Sequence, residues 1–134
     1  MDRMVEVELS RIIINDNADQ QFIFLREKDG VRQFPIVIAF LEAMAIDRHI
    51  NAKQTQRPLT HELLHSVLHG LEARVIRVEV TKLESSTFYA NLVVRHPGGE
   101  IAIDARPSDA IAIGLRDHAP IYVHEDVLED VAAH

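Results

Sequence analysis

The sequence has no cysteine and no long apolar run. Without thiols it can form neither disulfides nor thiolate metal sites, which is typical of proteins in a reducing compartment. Its apolar stretches fall short of the roughly 20 residues that a membrane span needs, and no basic-then-apolar leader opens the chain. From these absences we expect a cytoplasmic protein that does not enter membranes.

Basic residues are also scarce. The 134 residues include 14 Lys and Arg against 21 Asp and Glu, which gives a net charge of −7. Much of the excess lies in residues 117–134, which hold five carboxylates and neither lysine nor arginine. An acidic protein does not attract nucleic acid by its overall field. Chemistry on phosphate groups would therefore require a local basic pocket or a bridging cation.

The apolar periodicity predicts an α+β fold over residues 1–134. We expect a single domain with a mixed, largely antiparallel sheet and three to four helices, since the chain is long enough for one core. Alternation predicts strands at 5–9, 21–27, 31–38, 73–83, 86–95, 100–106 and 119–123, with a turn at 15–19. Helices are expected at 39–50, 57–71, 107–117 and from His124 onward.

The segment HELLH at 61–65 matches the H-E-x-x-H pattern of zinc metalloproteases. At 3.6 residues per turn, one side of this helix collects the apolar residues, and we expect it to face the core. That side consists of Leu63, Leu64, Val67, Leu68 and Leu71. The extended motif requires glycine at 68 and histidine at 71, where this chain has leucine. Catalytic zinc, incidental metal binding and a plain polar face containing His61, His65 and His69 remain as interpretations, and we favour the last.

The stretch DARPSDAIAIGLR at 104–116 crowds polar side chains onto the start of a helix. These are Asp104, Arg106, Ser108, Asp109 and Arg116. Ordinary structure could account for them, with Arg106 paired to Asp104 and Asp109 beside the free amides of the helix start. Alternatively, carboxylates that hold a divalent cation and an arginine that binds phosphate could share one cleft, as phosphodiester hydrolysis requires. Spacing does not decide between these alternatives.

Together with APIYVHEDVLE, this stretch resembles the signature of the bifunctional nuclease domain family. The segments FPIVIAFLEAMAI, RPLTHELL and STFYANLVV resemble further family motifs and occur in the family's order, so the likeness covers about residues 5 to 130. The resemblance implies an α+β single domain, a homodimer or other homo-oligomer, and nuclease activity on DNA and RNA. Some members continue past the position of His134, and without that extension we expect weak binding of nucleic acid.

The resemblance also implies a set of site residues. The positions that match the family pattern are Glu42, Arg57, Thr60, His61, Asp104, Arg106, Ser108, Asp109 and Arg116. From their chemistry, the catalytic candidates are Asp104, Asp109, His61 as general acid or base, and Glu42. Asp104, Asp109 and Glu42 are also the expected ligands of Mg²⁺ or Mn²⁺. The substrate-binding candidates are Arg57, Arg106, Ser108 and Arg116.

Departures from the family pattern and open alternatives complete the expectations. His65 and His69 fall outside the pattern, and Gly114 and Asp117 depart from it with little expected consequence. Glu42 could hold metal, it could lie in the first turn of its helix where the helix dipole stabilises it, or it could form a buried ion pair with an arginine. The alternative to a nuclease is a non-catalytic ligand- or partner-binding regulatory module, which the net negative charge favours.

Overall fold

A computed structural model describes residues 3–15, 17 and 19–131. The elements along the chain are β1 (Met4–Ile13), β2 (Gln21–Glu27), β3 (Gln33–Ile38), α1 (Phe40–Ile50), α2 (Thr60–Gly70), β4 (Arg74–Glu84), β5 (Thr87–His96), β6 (Gly99–Ala105), α3 (Pro107–Gly114), β7 (Ile121–His124) and α4 (Glu125–Val131). A 3₁₀ turn, Leu115–Asp117, extends α3. The turn predicted at 15–19 and the end of the last predicted helix lie partly outside the described residues.

The strands form a seven-stranded sheet in the order β3-β2-β1-β7-β4-β5-β6. All neighbouring pairs are antiparallel except β4 and β7, which run parallel. Strand β7 lies between β1 and β4, so it joins the N-terminal hairpins to the later three-stranded meander. The predicted α+β fold with a mixed, largely antiparallel sheet and four helices is confirmed.

One hydrophobic core joins the sheet to its helices. In β2 and β3 every second residue is buried, as the pleat of a half-covered sheet requires. The buried residues of α1 and α3 pack on the sheet and belong to the same core. Because α3 is buried along nearly its whole length, its first residues are held rigidly at the end of β6. Among the described residues, no helix has the length and apolar character to cross a membrane.

Gly114, at the end of α3, is where helix and sheet approach most closely. A Cβ at this position would lie 2.7 Å from Cγ2 of Val78 in β4, which is closer than real Cβ contacts come. The departure from the family pattern at 114 therefore has a packing reason. Glycine lets the end of α3 lie flat on the sheet, and this in turn fixes the 3₁₀ turn that follows.

Most predicted boundaries shift by one or two residues, and three of the differences have a structural reason. Strand β1 continues past residue 9, where the predicted strand ended, to Ile13. A bulge between Leu9 and Arg11 interrupts the apolar alternation, so the sequence pattern did not show this continuation. Helix α2 begins at Thr60 instead of residue 57. The Glu62 carboxylate caps this start by accepting a hydrogen bond from the Leu59 amide at 3.2 Å. The helix predicted at 107–117 becomes a 3₁₀ turn after Gly114.

The orientation predicted for α2 is wrong for four of the five residues of the predicted core face, and Leu68 is the one that packs against the core. Leu63, Leu64, Val67 and Leu71 are 55%, 43%, 45% and 68% exposed, and α2 has no buried residue. The side that carries the histidines faces the domain instead. Amphipathic periodicity identifies an apolar side of a helix, but it does not say what covers that side. Carboxylates on the domain bind the imidazoles, and this decides the orientation.

Candidate functional site

Four elements enclose a cleft of about 660 Å³ beside the start of α3. The end of β6 supplies Asp104, the residue between β6 and α3 is Arg106, α3 supplies Asp109, α2 supplies His61, and α1 supplies Glu42. With Thr60 of α2, the structure brings together six of the nine positions that match the family pattern. Thr60, Arg48 and apolar side chains line the rest of the cleft. Polar residues at the start of α3 thus lie in one cleft with polar residues of α1 and α2, which are distant in the sequence.

Four of these side chains form a continuous chain of ion pairs, which we call the cleft cluster: Glu42, His61, Arg106 and Asp109. Asp109 Oδ1 lies 2.8 Å from His61 Nε2, and Asp109 Oδ2 accepts a hydrogen bond from Arg106 Nε at 2.8 Å. Arg106 Nη1 lies 3.1 Å from Glu42 Oε1. Two of the alternatives for Glu42 occur together, since this buried carboxylate lies in the first turn of α1 and also pairs with a guanidinium.

Asp109 is the centre of the cleft cluster. Burial alone would raise its pKa, but hydrogen bonds from Arg106 and His61 hold the pKa of this carboxyl below its usual value. The group is therefore an anion at neutral pH. An anion accepts hydrogen bonds only, so a neutral His61 must carry its proton on Nε2. Its Nδ1 is then the basic nitrogen that remains free.

Asp104 differs from the other carboxylates of the cleft. It lies at the end of the edge strand β6 and is exposed. Within the described part of the chain it has no hydrogen-bond or ion-pair partner, although Arg106 is only two residues away. The pairing of Arg106 with Asp104 that the ordinary structural alternative required does not occur, because Arg106 is held by Glu42 and Asp109.

The ligands expected for Mg²⁺ or Mn²⁺ do not form a ready-made cage. Glu42, Asp104 and Asp109 line one cleft, but they are not a group whose ligand atoms all lie within 4.8 Å. Arg106 occupies the space between Glu42 and Asp109. Asp104 is thus the carboxylate that is free to hold a cation. This partial fit is compatible with Mg²⁺, which takes one or two carboxylates and completes its shell with water and substrate phosphates.

Arg116 lies outside the cleft. Its Nη2 lies 2.7 Å from Glu62 Oε2 and 3.3 Å from the carbonyl oxygen of Ala45, while its Nη1 donates to the carbonyl of Ala112. The side chain is 10% exposed. These contacts join α1, α2 and α3, so Arg116 ties together the elements that carry the cleft. It lines a smaller cavity of about 290 Å³ on another side of α2.

The two remaining substrate-binding candidates also lie apart from the cleft. Arg57 is exposed in the loop before α2 and does not line the cleft. Ser108 is buried in the first turn of α3 and faces a neighbouring cavity of about 480 Å³, which Arg106 also lines. Arg106 is therefore the substrate-binding candidate that the cleft contains.

Sequence reasoning missed Arg48. It lies on α1, lines the cleft, and its Nη2 is 3.2 Å from Glu62 Oε2. Its Nε is the one buried side-chain nitrogen or oxygen without a hydrogen-bond partner in the part of the chain that the structure describes. A cation on a helix predicted to be mostly buried was the signal that could have identified it, because such a residue needs an anionic partner.

A second imidazole–carboxylate group, also missed, lies further along α2. His65 Nε2 and His69 Nε2 lie 2.8 and 2.7 Å from the same oxygen, Oδ1 of Asp117. Oδ2 of Asp117 accepts the backbone N–H of Val75 at 2.8 Å. We call His65, His69 and Asp117 the Asp117 cluster. The expectation that Asp117 has little consequence is wrong, and the spacing of the two histidines, one helical turn apart, was the available signal.

The HELLH motif is divided between these two clusters. His61 binds Asp109, His65 binds Asp117, and Glu62 lies between Arg48 and Arg116. A zinc site of the metalloprotease kind needs both histidines on one ion and a free glutamate as general base. None of these conditions is met, so the arrangement does not support a zinc hydrolase built on HELLH.

Comparison with known proteins agrees with the earlier resemblance. Residues 23–134 match the model of the bifunctional nuclease domain. An uncharacterised protein of Mycobacterium tuberculosis is 38% identical over 125 residues, which cover 93% of this chain and 74% of that protein. Bifunctional nuclease 2 of Oryza sativa subsp. japonica is 28% identical over 118 residues, 85% of this chain and 36% of the rice protein.

Bifunctional nuclease 1 of Arabidopsis thaliana is 27% identical over 114 residues, which cover 82% of this chain and 35% of the plant protein. The chain thus corresponds to about a third of these plant relatives. The matched region contains every element that lines the cleft, from α1 to α3. The chain belongs to the bifunctional nuclease domain family.

Proposed function

We propose that this domain hydrolyses phosphodiester bonds in DNA and RNA at the cleft between α1, α2, β6 and α3. The observation that carries the proposal is the hydrogen-bonded series His61–Asp109–Arg106 beside the free carboxylate of Asp104. It combines a proton acceptor, a phosphate-binding cation and a cation ligand in one cavity. The names of the plant relatives, which share this region, support the same reaction class.

His61 would transfer the protons. Asp109 holds the Nε2 proton and orients the ring, so Nδ1 is available to take a proton from the attacking water. The oxygen of that water then bonds to phosphorus as the bond to the leaving oxygen breaks, and the protonated imidazole can return the proton to the leaving oxygen. An ionised Asp109 stabilises the imidazolium that forms between these two events.

Two arginines would bind the phosphate. Arg106 is held through Nε and Nη1, which leaves Nη2 for a phosphate oxygen. Arg48 also lines the cleft and would supply a second cation, although its Nη2 is paired with Glu62. These two cations supply the local basic pocket that an acidic protein needs.

Asp104 would hold a divalent cation, Mg²⁺ or Mn²⁺, together with oxygens of the substrate. When bound, the ion would polarise the phosphodiester and neutralise developing charge. The other two carboxylates would keep their present tasks, with Glu42 holding Arg106 and Asp109 holding both Arg106 and His61.

The proposal is tested by cleavage of end-labelled single-stranded DNA and RNA in Mg²⁺, in Mn²⁺ and in EDTA. Asp104→Asn is the informative variant, because the side chain is exposed and unpaired, so its melting curve should match that of the wild type. We expect metal-dependent cleavage that this variant loses. Cleavage that persists in Asp104→Asn would remove this carboxylate from the mechanism.

A second candidate function is a non-catalytic ligand- or partner-binding module. The observation in its favour is that two of the three cleft carboxylates already have partners, since Arg106 pairs with Glu42 and Asp109, and His61 is hydrogen-bonded to Asp109. Such a pre-paired cluster suits a pocket that binds without reacting. Folded, metal-supplied protein that cuts neither DNA nor RNA would favour this function over hydrolysis.

We also propose that the domain is a homo-oligomer in which α2 packs against a second copy. Leu63, Leu64, Val67 and Leu71 form an exposed apolar strip without a charged residue. Two copies with a net charge of −7 each repel one another over most of their surface, so an uncharged apolar strip is where they can meet. A symmetric pair would bury the strip against itself.

Light scattering after gel filtration tests this interface against the chain mass of 15.2 kDa. We expect a mass at least twice that value, and a monomer for the double variant Leu63→Ser, Val67→Ser. Val31→Ser is the matched control, because Val31 is 81% exposed at a different surface. A monomeric wild type would contradict the interface without affecting the proposed chemistry.

A further inference from the structure

The Asp117 cluster gathers three metal-ligand atoms from two distant parts of the chain. His65 Nε2 and His69 Nε2 lie 2.8 and 2.7 Å from Asp117 Oδ1, and the centroids of the two rings are 4.3 Å apart. Among the described residues, this is the group of three whose ligand atoms all lie within 4.8 Å of one another. The two nitrogens and one oxygen therefore surround a common point.

The carboxylate of the cluster is held in place by the fold. Asp117 is in the 3₁₀ turn after α3, and its side chain is 4% exposed. The N–H of Val75 in β4 fixes Oδ2, which directs Oδ1 toward the histidines. Burial would raise its pKa, but the hydrogen bonds from His65 and Val75 keep it below its usual value, so the group is an anion.

The histidines complete a site that remains open on one side. His65 and His69 are one helical turn apart, so both rings point the same way from α2. Their side chains are 23% and 49% exposed, which leaves room for water as a fourth ligand. Within the described ranges no arginine or lysine pairs with Asp117, whereas Arg106 pairs with Asp109 in the cleft cluster. Of the two clusters, the Asp117 cluster is the one whose carboxylate has no arginine partner.

We propose that His65, His69 and Asp117 bind a divalent transition-metal ion of the Zn²⁺ class. Imidazole nitrogens suit Zn²⁺, Cu²⁺ and Ni²⁺, whereas Mg²⁺ and Ca²⁺ prefer oxygen ligands. Bonds of about 2.0–2.2 Å at tetrahedral angles place ligand atoms about 3.3 Å apart. The two separations between Nε2 and Oδ1, 2.8 and 2.7 Å, therefore need to lengthen by only about half an ångström. A neutral imidazole binds the ion through Nε2 by moving its proton to Nδ1, and an imidazolium releases one proton to solvent as it binds.

The ion joins α2 to the rest of the domain. Helix α2 has no buried residue. Leu68 packs against the core, and the histidines of α2 contact carboxylates of the domain. A metal shared by α2 and the 3₁₀ turn, with Asp117 also tied to β4, cross-links three elements of the native state. Because such a site exists only in the folded chain, the ion stabilises the protein by mass action. This site is separate from the proposed nuclease cleft and does not depend on it.

The test uses the full chain without an affinity tag, stripped of metal with a chelator and dialysed. Titration with Zn²⁺ in a calorimeter and with Co²⁺ by visible absorption measures stoichiometry and geometry, and thermal melts measure stabilisation. We expect one ion per chain, the intense visible bands of tetrahedral Co²⁺, and a melting temperature that rises with Zn²⁺ concentration. Mg²⁺ at equal concentration should cause no such rise.

His69→Gln is the informative variant, because this ring is the most exposed member of the cluster and the bond from Val75 to Asp117 survives its loss. Loss of an outer-shell partner weakens metal binding about 10–100-fold, so we expect loss of a ligand to weaken Zn²⁺ binding about 100-fold or more. His96→Gln, at the β5–β6 turn, is the matched control and should bind as the wild type. Equal Zn²⁺ binding by His69→Gln and the wild type, or no binding by the wild type, would overturn the proposal.

Discussion

The cleft cluster and the Asp117 cluster both pair histidines of α2 with a carboxylate, but they suit different ligands. In the cleft cluster, His61 contacts a carboxylate whose other oxygen binds Arg106, beside a cavity of about 660 Å³. In the Asp117 cluster, two imidazoles share one carboxylate oxygen and a backbone N–H holds the other. The difference lies in the arginines. A cation and a cavity suit an anionic substrate, whereas an anion with two imidazoles and no cation suits a metal ion.

The largest effect should come from removing the central carboxylate of the cleft cluster. Asp109→Asn replaces an acceptor by an amide that can also donate to His61 Nε2, which allows the wrong tautomer of the ring. We expect DNA and RNA cleavage to fall about 10²–10⁴-fold, the usual contribution of a positioned acid or base. Single-turnover rates with matched circular dichroism spectra are the measurement.

Asp117→Asn is the counterpart of Asp109→Asn, since it makes the same change one cluster away. It should leave the cleavage rate of the folded protein unchanged in Mg²⁺. Equal losses of cleavage in both variants would mean that the clusters act only through the stability of α2, and the distinction drawn from the arginines would then fail.

The next two predictions distinguish Arg106, which lines the cleft, from Arg116, which is buried between the helices. Arg116→Met leaves Glu62 with Arg48 alone and removes the contacts to two carbonyls. Breaking a buried ion pair costs about 3–5 kcal/mol, and the remaining partner reduces this, so we expect a loss of about 3 kcal/mol in urea unfolding. Folded Arg116→Met should still cleave.

Arg106→Lys should show the opposite behaviour. It keeps a positive charge beside Glu42 and Asp109 but loses the planar guanidinium that can bind phosphate bidentately. A charge-assisted hydrogen bond contributes about 1.5–3 kcal/mol, so kcat/KM should fall about 10–100-fold with little change in Tm. A stability loss in Arg106→Lys with unchanged kcat/KM would make Arg106 a structural residue like Arg116.

A smaller effect on stability tests the close packing of α3 against β4. Gly114→Ala forces a methyl group against Val78, and overpacking of this kind costs about 1–3 kcal/mol. Gly70→Ala is the control, because a Cβ there meets no atom within 4 Å and alanine favours helix by up to about 1 kcal/mol. Urea midpoints that move in opposite directions for the two variants would agree with the packing. A stabilised Gly114→Ala would contradict it.

The smallest effect concerns stability in acid, which we attribute to carboxylates outside both clusters. Arg32 holds the pKa of Glu27 and of Glu125 below their usual values, with further help from Arg3. The stabilisation is therefore present above about pH 4.3, the usual value for glutamate, and is lost as the pH falls through the lowered values. Arg32→Gln should flatten the fall in Tm between about pH 5 and pH 3. An equally steep fall in this variant would assign acid sensitivity to other groups.

Much of the fold could be predicted from the sequence because its signals are local. Alternation in segments such as QFIFLRE and STFYANLVV reports the pleat, and glycine-containing turns report the hairpins. The side of α2 that faces the domain was not predictable in this way. Its apolar strip and its imidazoles compete for the interior, and the outcome depends on carboxylates elsewhere in the chain.

The candidate site was less accessible to sequence reasoning because its contacts are distant. His61 and Asp109 are 48 positions apart, and family resemblance suggested that they belong together, whereas spacing did not. For Asp117, 52 positions from His65, neither the family pattern nor a local motif gave a signal. Conversely, Arg57 and Arg116 match the family pattern but do not line the cleft. A motif can identify the residues of a site without showing which of them share one space.

The most direct test of the central claim compares His61→Ala with His65→Ala in Mg²⁺, each with and without added imidazole. Both residues are on α2, one turn apart, and each contacts a carboxylate at 2.8 Å. If His61 transfers protons in the cleft, cleavage by His61→Ala should fall about 10²–10⁴-fold and recover in part when imidazole is added, while His65→Ala cleaves as the wild type. Wild-type cleavage by His61→Ala, or equal losses in both variants that imidazole does not restore, would contradict the account.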